Sequence, residues 1–170
     1  MQRGKRTLAL GLLWGFAFCL VLIGLSGCSV ALRLYPVQGP LAAVAPAPVY
    51  VGKFSVYKNF HSGTVKAVMD GGETFRGTLT LVRNNPKKAP GAADGAPPMA
   101  DGMKAAWDSV YGDGYYVAHV LGGVQYGRAS LIGSKGTTLQ MEIHNTESGQ
   151  AKGVAKDDKG NLYKVVFGPG

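Results

Sequence analysis

Chemistry at neutral pH would first be sought at the three histidines, His61, His119 and His144. They are far apart in sequence, and none forms a His-x-x-x-His or His-x-Glu pairing of the kind that sets two metal ligands on one face. No metal site is therefore read from their spacing. Three glutamates, Glu73, Glu142 and Glu147, are the candidates for general acid or base work, with Asp157-Asp158 beside them in sequence space. Glycoside hydrolysis needs two carboxyl groups flanking one bond, and Glu142 or Glu73 is the acid that such a reading would use. Asp157-Asp158 falls in a hairpin-like segment, where aspartate side chains bond nearby backbone amides. It lacks the alternating acid ladder of a calcium loop. Gly-x-Ser-x-Gly is absent, so no nucleophile elbow is present. Neither Gly112-x-Gly114 nor Gly122-Gly123 has phosphate-loop spacing. No cofactor is implied.

Aromatic side chains are the other concentrated resource. Trp107, Tyr111, Tyr115, Tyr116 and Tyr126 lie within 20 residues. Displayed together, they could stack on sugar rings or anchor an interface. Buried together, they would be the core of a domain otherwise poor in large side chains. The charge is +8 for 170 residues, with 18 Lys and Arg against 10 Asp and Glu. The basic residues are spread along the chain, as Lys53, Lys58, Lys66, Arg76 and Arg83, then Lys152, Lys156, Lys159 and Lys164. Such a surplus suits anionic lipid head groups or cell-wall acids, with attraction that weakens in salt. It is too diffuse for a nucleic-acid reading.

The elements that must position these groups are mostly strands. In Glu73–Val82, Phe75, Leu79 and Leu81 alternate with Thr74, Arg76, Thr78 and Thr80. In Thr137–His144, Leu139, Met141 and Ile143 alternate with Thr138, Gln140, Glu142 and His144. Period 2 predicts one buried and one wet face, and it puts Glu142 and His144 on the wet one. Weaker strands are read at Tyr50–Tyr57, Gly63–Met69, Arg128–Gly133, Ala151–Lys156 and Leu162–Phe167. Turn residues at Asp70-Gly71-Gly72, Gly133 to Gly136 and Asp157 to Gly160 separate them. Met103, Trp107, Val110 and Tyr111 recur at helical spacing and predict one short helix. Tyr115–Leu121 reads as a strand or the start of a helix, with His119 a hydrogen-bonded structural residue inside it. The fold class is mainly β: an antiparallel sandwich or small barrel with one short helix.

The ends of this domain are set by composition. Residues 84–102 are rich in Pro, Ala and Gly and read as a mobile excursion. Tyr35 to Pro48 carries four prolines, which disfavour helix and strand ladders. Residues 28–48 are thus expected to be a tether, with the β domain at 49–170. Before them, Arg3, Lys5 and Arg6 precede an uncharged apolar run from Leu8 to Ile23. That run is short for a membrane helix, which needs about 20 residues. Residues 1–27 read as a secretory signal.

Leu25-Ser26-Gly27-Cys28 resembles the lipobox of bacterial lipoproteins. The resemblance implies cleavage before Cys28, acyl chains on that residue, and a Ser29 that does not retain the protein in the inner membrane. It therefore implies an outer-membrane lipoprotein. Loss of Cys19 with the signal, and capping of Cys28, would leave no thiol for catalysis, redox or metal binding. Further fragments resemble a group of small, uncharacterised, Gly-rich bacterial envelope lipoproteins: Gly72-Glu73-Thr74-Phe75-Arg76-Gly77, Trp107-Asp108-Ser109-Val110-Tyr111-Gly112, Gly127-Arg128-Ala129-Ser130-Leu131, Gly136 to Glu142 and Gly153 to Asp157. That likeness runs from about Val65 to Phe167. In those relatives the positions of Met141 and Ala155 often carry Cys, which implies that apolar packing replaces a cross-strand disulfide here. It brings no activity. The expected role is a lipid-anchored, non-enzymatic structural or interaction protein. Its partners are the membrane through Cys28, and another envelope protein or peptidoglycan. The rival is a glycan-binding protein or hydrolase using the aromatic segment 107–126.

Overall fold

A computed structural model describes residues 29–56, 62–68, 72–83, 101–121, 125–145 and 151–168. The signal segment with Cys28, residues 84–100 of the expected excursion, His61 and Glu147 lie outside the described residues.

Eight strands account for most of what is described: β1 (Ser29–Gln38), β2 (Tyr50–Val56), β3 (Ser62–Val68), β4 (Thr74–Arg83), β5 (Gln125–Gly133), β6 (Thr138–Asn145), β7 (Ala151–Asp157) and β8 (Leu162–Phe167). Each pairs antiparallel with the next, and β8 returns to β1, so the sheet closes into a barrel. Closure removes the exposed edges that an open sheet would carry. Of the two architectures read from the sequence, the barrel is the one formed.

Period 2 places alternate residues inside. Phe54, Phe75, Leu79, Leu131, Leu139, Met141 and Tyr163 fill the barrel interior. Met141 and Ala155 are direct partners across β6 and β7, and both are buried. Gly77 takes an inward position between Phe75 and Leu79. A methyl group there would run into the Ser130 carbonyl oxygen and the Leu131 side chain, so β5 can approach only because residue 77 has none. The outward residues include Lys53, Lys66 and Arg76, all exposed. Val51, Val68 and Ile132 are exposed beside them.

The chain enters the barrel earlier than its prolines suggest. Ser29–Gln38, expected as tether, is a full strand paired to both β2 and β8. Leu32 and Leu34 are completely buried and alternate with Arg33 and Tyr35, so two large apolar side chains drive this strand into the core. Pro36 is accommodated where the β1–β8 register shifts between Pro36 and Gln38. A 3-10 turn, Pro40–Ala43, follows, and its Leu41 packs on the core. Strand structure is therefore present from Ser29, ahead of the expected start near Val49.

Helix α1 (Met103–Tyr111) is the predicted short helix, and it lies over β7 and β8. Gly102 and Gly112, both at positive φ, bound it. A π-helical segment, Tyr116–Leu121, follows, held by Asp108 Oδ1, which accepts the Tyr116 N–H at 3.0 Å. Met103, Ala106, Trp107, Tyr116 and Val120 from these two segments join Val154 and Leu162 of the barrel exterior in a second apolar cluster.

Candidate functional site

The cover of α1 and the π-helical segment decides what the aromatic residues do. Trp107 is fully buried, and Tyr116 and Tyr126 are buried. Tyr111 and Tyr115 are half-buried and stack on the Trp107 indole at centroid distances of 5.4 and 5.8 Å. The five aromatics expected as an interaction surface are mostly a core on the outside of the barrel, with the edges of Tyr111 and Tyr115 left at its margin.

Beneath them sit the two groups expected on a wet strand face. Glu142 is 1% exposed and His144 is 4% exposed. Both do point away from the barrel interior, as the alternation requires. The helix has excluded water from that exterior, which period 2 alone does not report. Arg128 lies opposite Glu142 in the β5–β6 ladder and donates from Nε to Glu142 Oε1 at 2.8 Å. The Trp107 Nε1–H donates to the other oxygen, Oε2, at 2.7 Å. Burial of a carboxylate is strongly unfavourable unless it is paired and hydrogen-bonded, and this one is both. Each of its two oxygens accepts a hydrogen bond within the protein, and the group is sealed from solvent.

His144 Nε2 meets the Tyr115 hydroxyl at 3.1 Å, and the ring also packs edge-on to Trp107. Its Nδ1 is buried. Burial pushes the imidazole pKa below its usual value against the raising effect of the Asn145 backbone, and the nearby Lys152 and His119 charges add to the lowering. Burial also lifts the Tyr111 phenol to about 12, although its hydroxyl donates to the Gly153 carbonyl at 3.2 Å. His119 is exposed and lies tilted against the Tyr115 ring at 4.6 Å, so it is a surface residue and not the buried structural histidine expected.

Glu73 is on the other side of the sheet and at the other end of its own strand pair. Its Oε1 accepts the Lys135 and Thr137 N–H groups at 3.1 and 3.4 Å, and its Oε2 accepts the Thr137 hydroxyl at 3.1 Å. It holds the β5–β6 turn. Asp157 does the same for the β7–β8 turn, accepting from Lys159 N at 3.0 Å, Asn161 N at 2.8 Å, Asn161 Nδ2 at 2.8 Å and the Tyr163 hydroxyl at 2.7 Å. The turn role read from Asp157-Asp158 is the one observed. Burial, with Asp157 at the hydroxyl, holds the Tyr163 phenol well above its usual range. Among the described residues, no three His, Cys, Asp or Glu side chains gather as metal ligands. Ser29, expected as a sorting residue, is exposed and paired with Ser55 at the start of β1.

The end of the barrel where β1 starts and β8 finishes is different. Val30, Phe54, Ile143, Val165 and Phe167 gather there at the strand ends, with Lys152, Lys164 and Tyr111 nearby on the outward side. Sequence reading does not single out this grouping. The alternation marks Phe54 and Ile143 as inward, and both are buried. The chain matches no family model, no curated protein and no solved structure.

Proposed function

We propose that this chain is a lipid-anchored cell-envelope protein with a non-enzymatic interaction role, processed at Cys28 and carried on the outer membrane by its acyl chains. The observation that carries the non-enzymatic reading is the sealed Trp107–Glu142–Arg128 network: the aromatic segment and its glutamate form a packed support and not an open cleft. A hydrolase acting through Glu142 or Glu73 would need a carboxyl group free to meet substrate, and both carboxylates are taken up by bonds within the protein.

Two further features support an envelope position. The lipobox-like Leu25-Ser26-Gly27-Cys28 immediately precedes β1, so acyl chains on Cys28 would seat the barrel against the bilayer with no spacer. The outward face of β2–β4 also carries paired basic residues. Lys53 faces Lys66, and Lys66 faces Arg76, across β2, β3 and β4. Residues 29–69 contain no acid. Like charges set directly opposite destabilise a sheet, and an anionic surface relieves them.

The test is the intact mass of protein purified from membranes, beside a Cys28→Ala variant. The expected result is a chain beginning at Cys28 with acyl chains added, and loss of that species in the variant. An unprocessed mass in both proteins overturns the anchor and the outer-membrane assignment with it.

A further inference from the structure

We propose that the outward face of β2–β4 is the surface by which this chain lies on a bilayer containing anionic lipid. The inference deepens the envelope reading by naming the face and the head-group charge. It concerns how the barrel is oriented and not what tethers it.

Three observations converge there. The first is a row of cations. Lys53, Lys66 and Arg76 are direct partners across β2, β3 and β4, and all three are exposed. Neighbouring strands lie about 4.8 Å apart, so the three side chains leave the sheet within about 10 Å of one another. Among the described residues no carboxylate pairs with any of them. Asp158, beyond Ile132, is taken up by the Thr138 N–H and hydroxyl at 3.0 and 3.1 Å. Like charges directly opposite one another destabilise a sheet, and lipid phosphates lying across the row offset that repulsion.

The second is what stands among the charges. Val51 and Val68 are partners across β2 and β3, two residues along from Lys53 and Lys66 on the same face, and are 55% and 54% exposed. Ile132 sits opposite Arg76 and is 66% exposed. A water-soluble polyanion offers these side chains nothing. A bilayer surface does, because acyl carbons lie just beneath its phosphates. Lys and Arg lay their apolar stems along such a surface and carry the charge to the head groups.

The third is the contrast with the far side of the barrel. Over β7 and β8, α1 covers the outward Val154 and Leu162. On β2–β4 none of the outward residues Val51, Lys53, Thr64, Lys66, Val68 and Arg76 is buried. A second copy of the chain is a poor occupant, because a two-fold contact through this face would set the same cations against themselves. Ser29, which follows Cys28 in sequence, pairs with Ser55 on this same face, so an anchor at Cys28 would adjoin it.

The test uses the full chain purified from membranes and placed in nanodiscs. One set is phosphatidylcholine alone; the other is a two-to-one mixture with phosphatidylglycerol. Hydroxyl-radical footprinting, read by peptide mass spectrometry, reports which side chains the disc covers. Peptides carrying Val51, Val68 and Ile132 should be protected in the anionic discs and not in the neutral ones, with those carrying Tyr111 and Tyr115 unchanged. Each cation near an anionic surface favours docking by about fivefold at low salt, so Lys53→Gln with Lys66→Gln should lower the docked-to-undocked ratio by roughly tenfold or more. In about 1 M salt, where the Debye length is about 3 Å, most of the protection should be lost. Buried Trp107 stays unoxidised in a folded chain and controls for unfolding in the variant. Three results overturn the proposal. Equal protection in neutral discs removes anionic lipid from the assignment. Protection of Tyr111 and Tyr115 in place of Val51 and Val68 puts the contact on the far side. Protection that rises with the number of chains per disc and survives the double Gln variant assigns the face to a second copy. Failure of the anchor is read separately, from the intact mass, and leaves the protected face unchanged.

Discussion

The two ends of the barrel solve the same geometrical problem in opposite ways. At the turn end, where β7 meets β8, a buried carboxylate gathers the chain: Asp157 takes two backbone amides, the Asn161 side chain and the Tyr163 hydroxyl, and Asn161 Oδ1 accepts the Leu41 N–H at 2.9 Å. Glu73 does likewise beside it. At the other end, where β1 begins, the inward side chains Phe54, Ile143 and Val165 are apolar and buried. Buried polar groups demand partners with fixed geometry, so the turn end is rigid and filled. Apolar side chains demand nothing directional, so the opposite end is held by burial alone.

Several substitutions break or sharpen that contrast. The largest effect is expected from Asp157→Ala, which strands the Asn161 amide, the Tyr163 hydroxyl and two backbone donors. A loss of about 3 kcal/mol or more is expected in urea denaturation, whereas a loss below about 1 kcal/mol would mean that the turn end is not what closes the barrel. Next is Gly77→Ala between the two ends, where the new methyl meets the β5 backbone. It should lower stability by about 1–3 kcal/mol. Trp107→Phe keeps most of the packing but removes the donor to Glu142 Oε2, for an expected loss of about 1–2 kcal/mol and a changed near-UV circular dichroism signal.

A pH series separates the ends more finely. His144 lies toward the end where β1 begins and has a folded-state pKa below its usual value. Below about pH 6.5 the unfolded chain takes up a proton that the folded chain refuses, so stability falls as pH drops through that range. His144→Phe should flatten this slope. An unchanged slope would assign it to other groups. The smallest effect is expected at the lysines of that end. Lys152→Gln and Lys164→Gln should move stability by no more than about 0.5 kcal/mol, since both side chains reach toward solvent. If they cost as much as Asp157→Ala, that end is not held by burial alone and the contrast fails.

Much of the barrel was legible in advance. The alternation at Phe75, Leu79 and at Leu139, Met141, Ile143 marks β4 and β6, and the spacing of Met103, Trp107, Val110 and Tyr111 marks α1 to the residue. β1 carried the same signal in Leu32 and Leu34. It was masked by neighbouring prolines and by the lipobox-like tetrapeptide before it, both of which argue for a tether. Glu142 and His144 show the deeper limit. Period 2 reports which side of a sheet a residue faces, and it was right about both. It does not report what lies on that side, and here α1 turned an exterior face into an interior.

By itself the sequence determined seven of the eight strands, the helix and the turn aspartates, because each rests on neighbours a few residues apart. Tertiary structure alone decided that β8 closes on β1, that Arg128 and Trp107 meet Glu142, and that Val30, Phe54 and Ile143 come near Lys152 and Lys164. Those facts depend on residues up to 138 positions apart, such as Val30 and Gly168 at the same end of the barrel. Only chain closure brings them together, since local periodicity carries no information about distant partners.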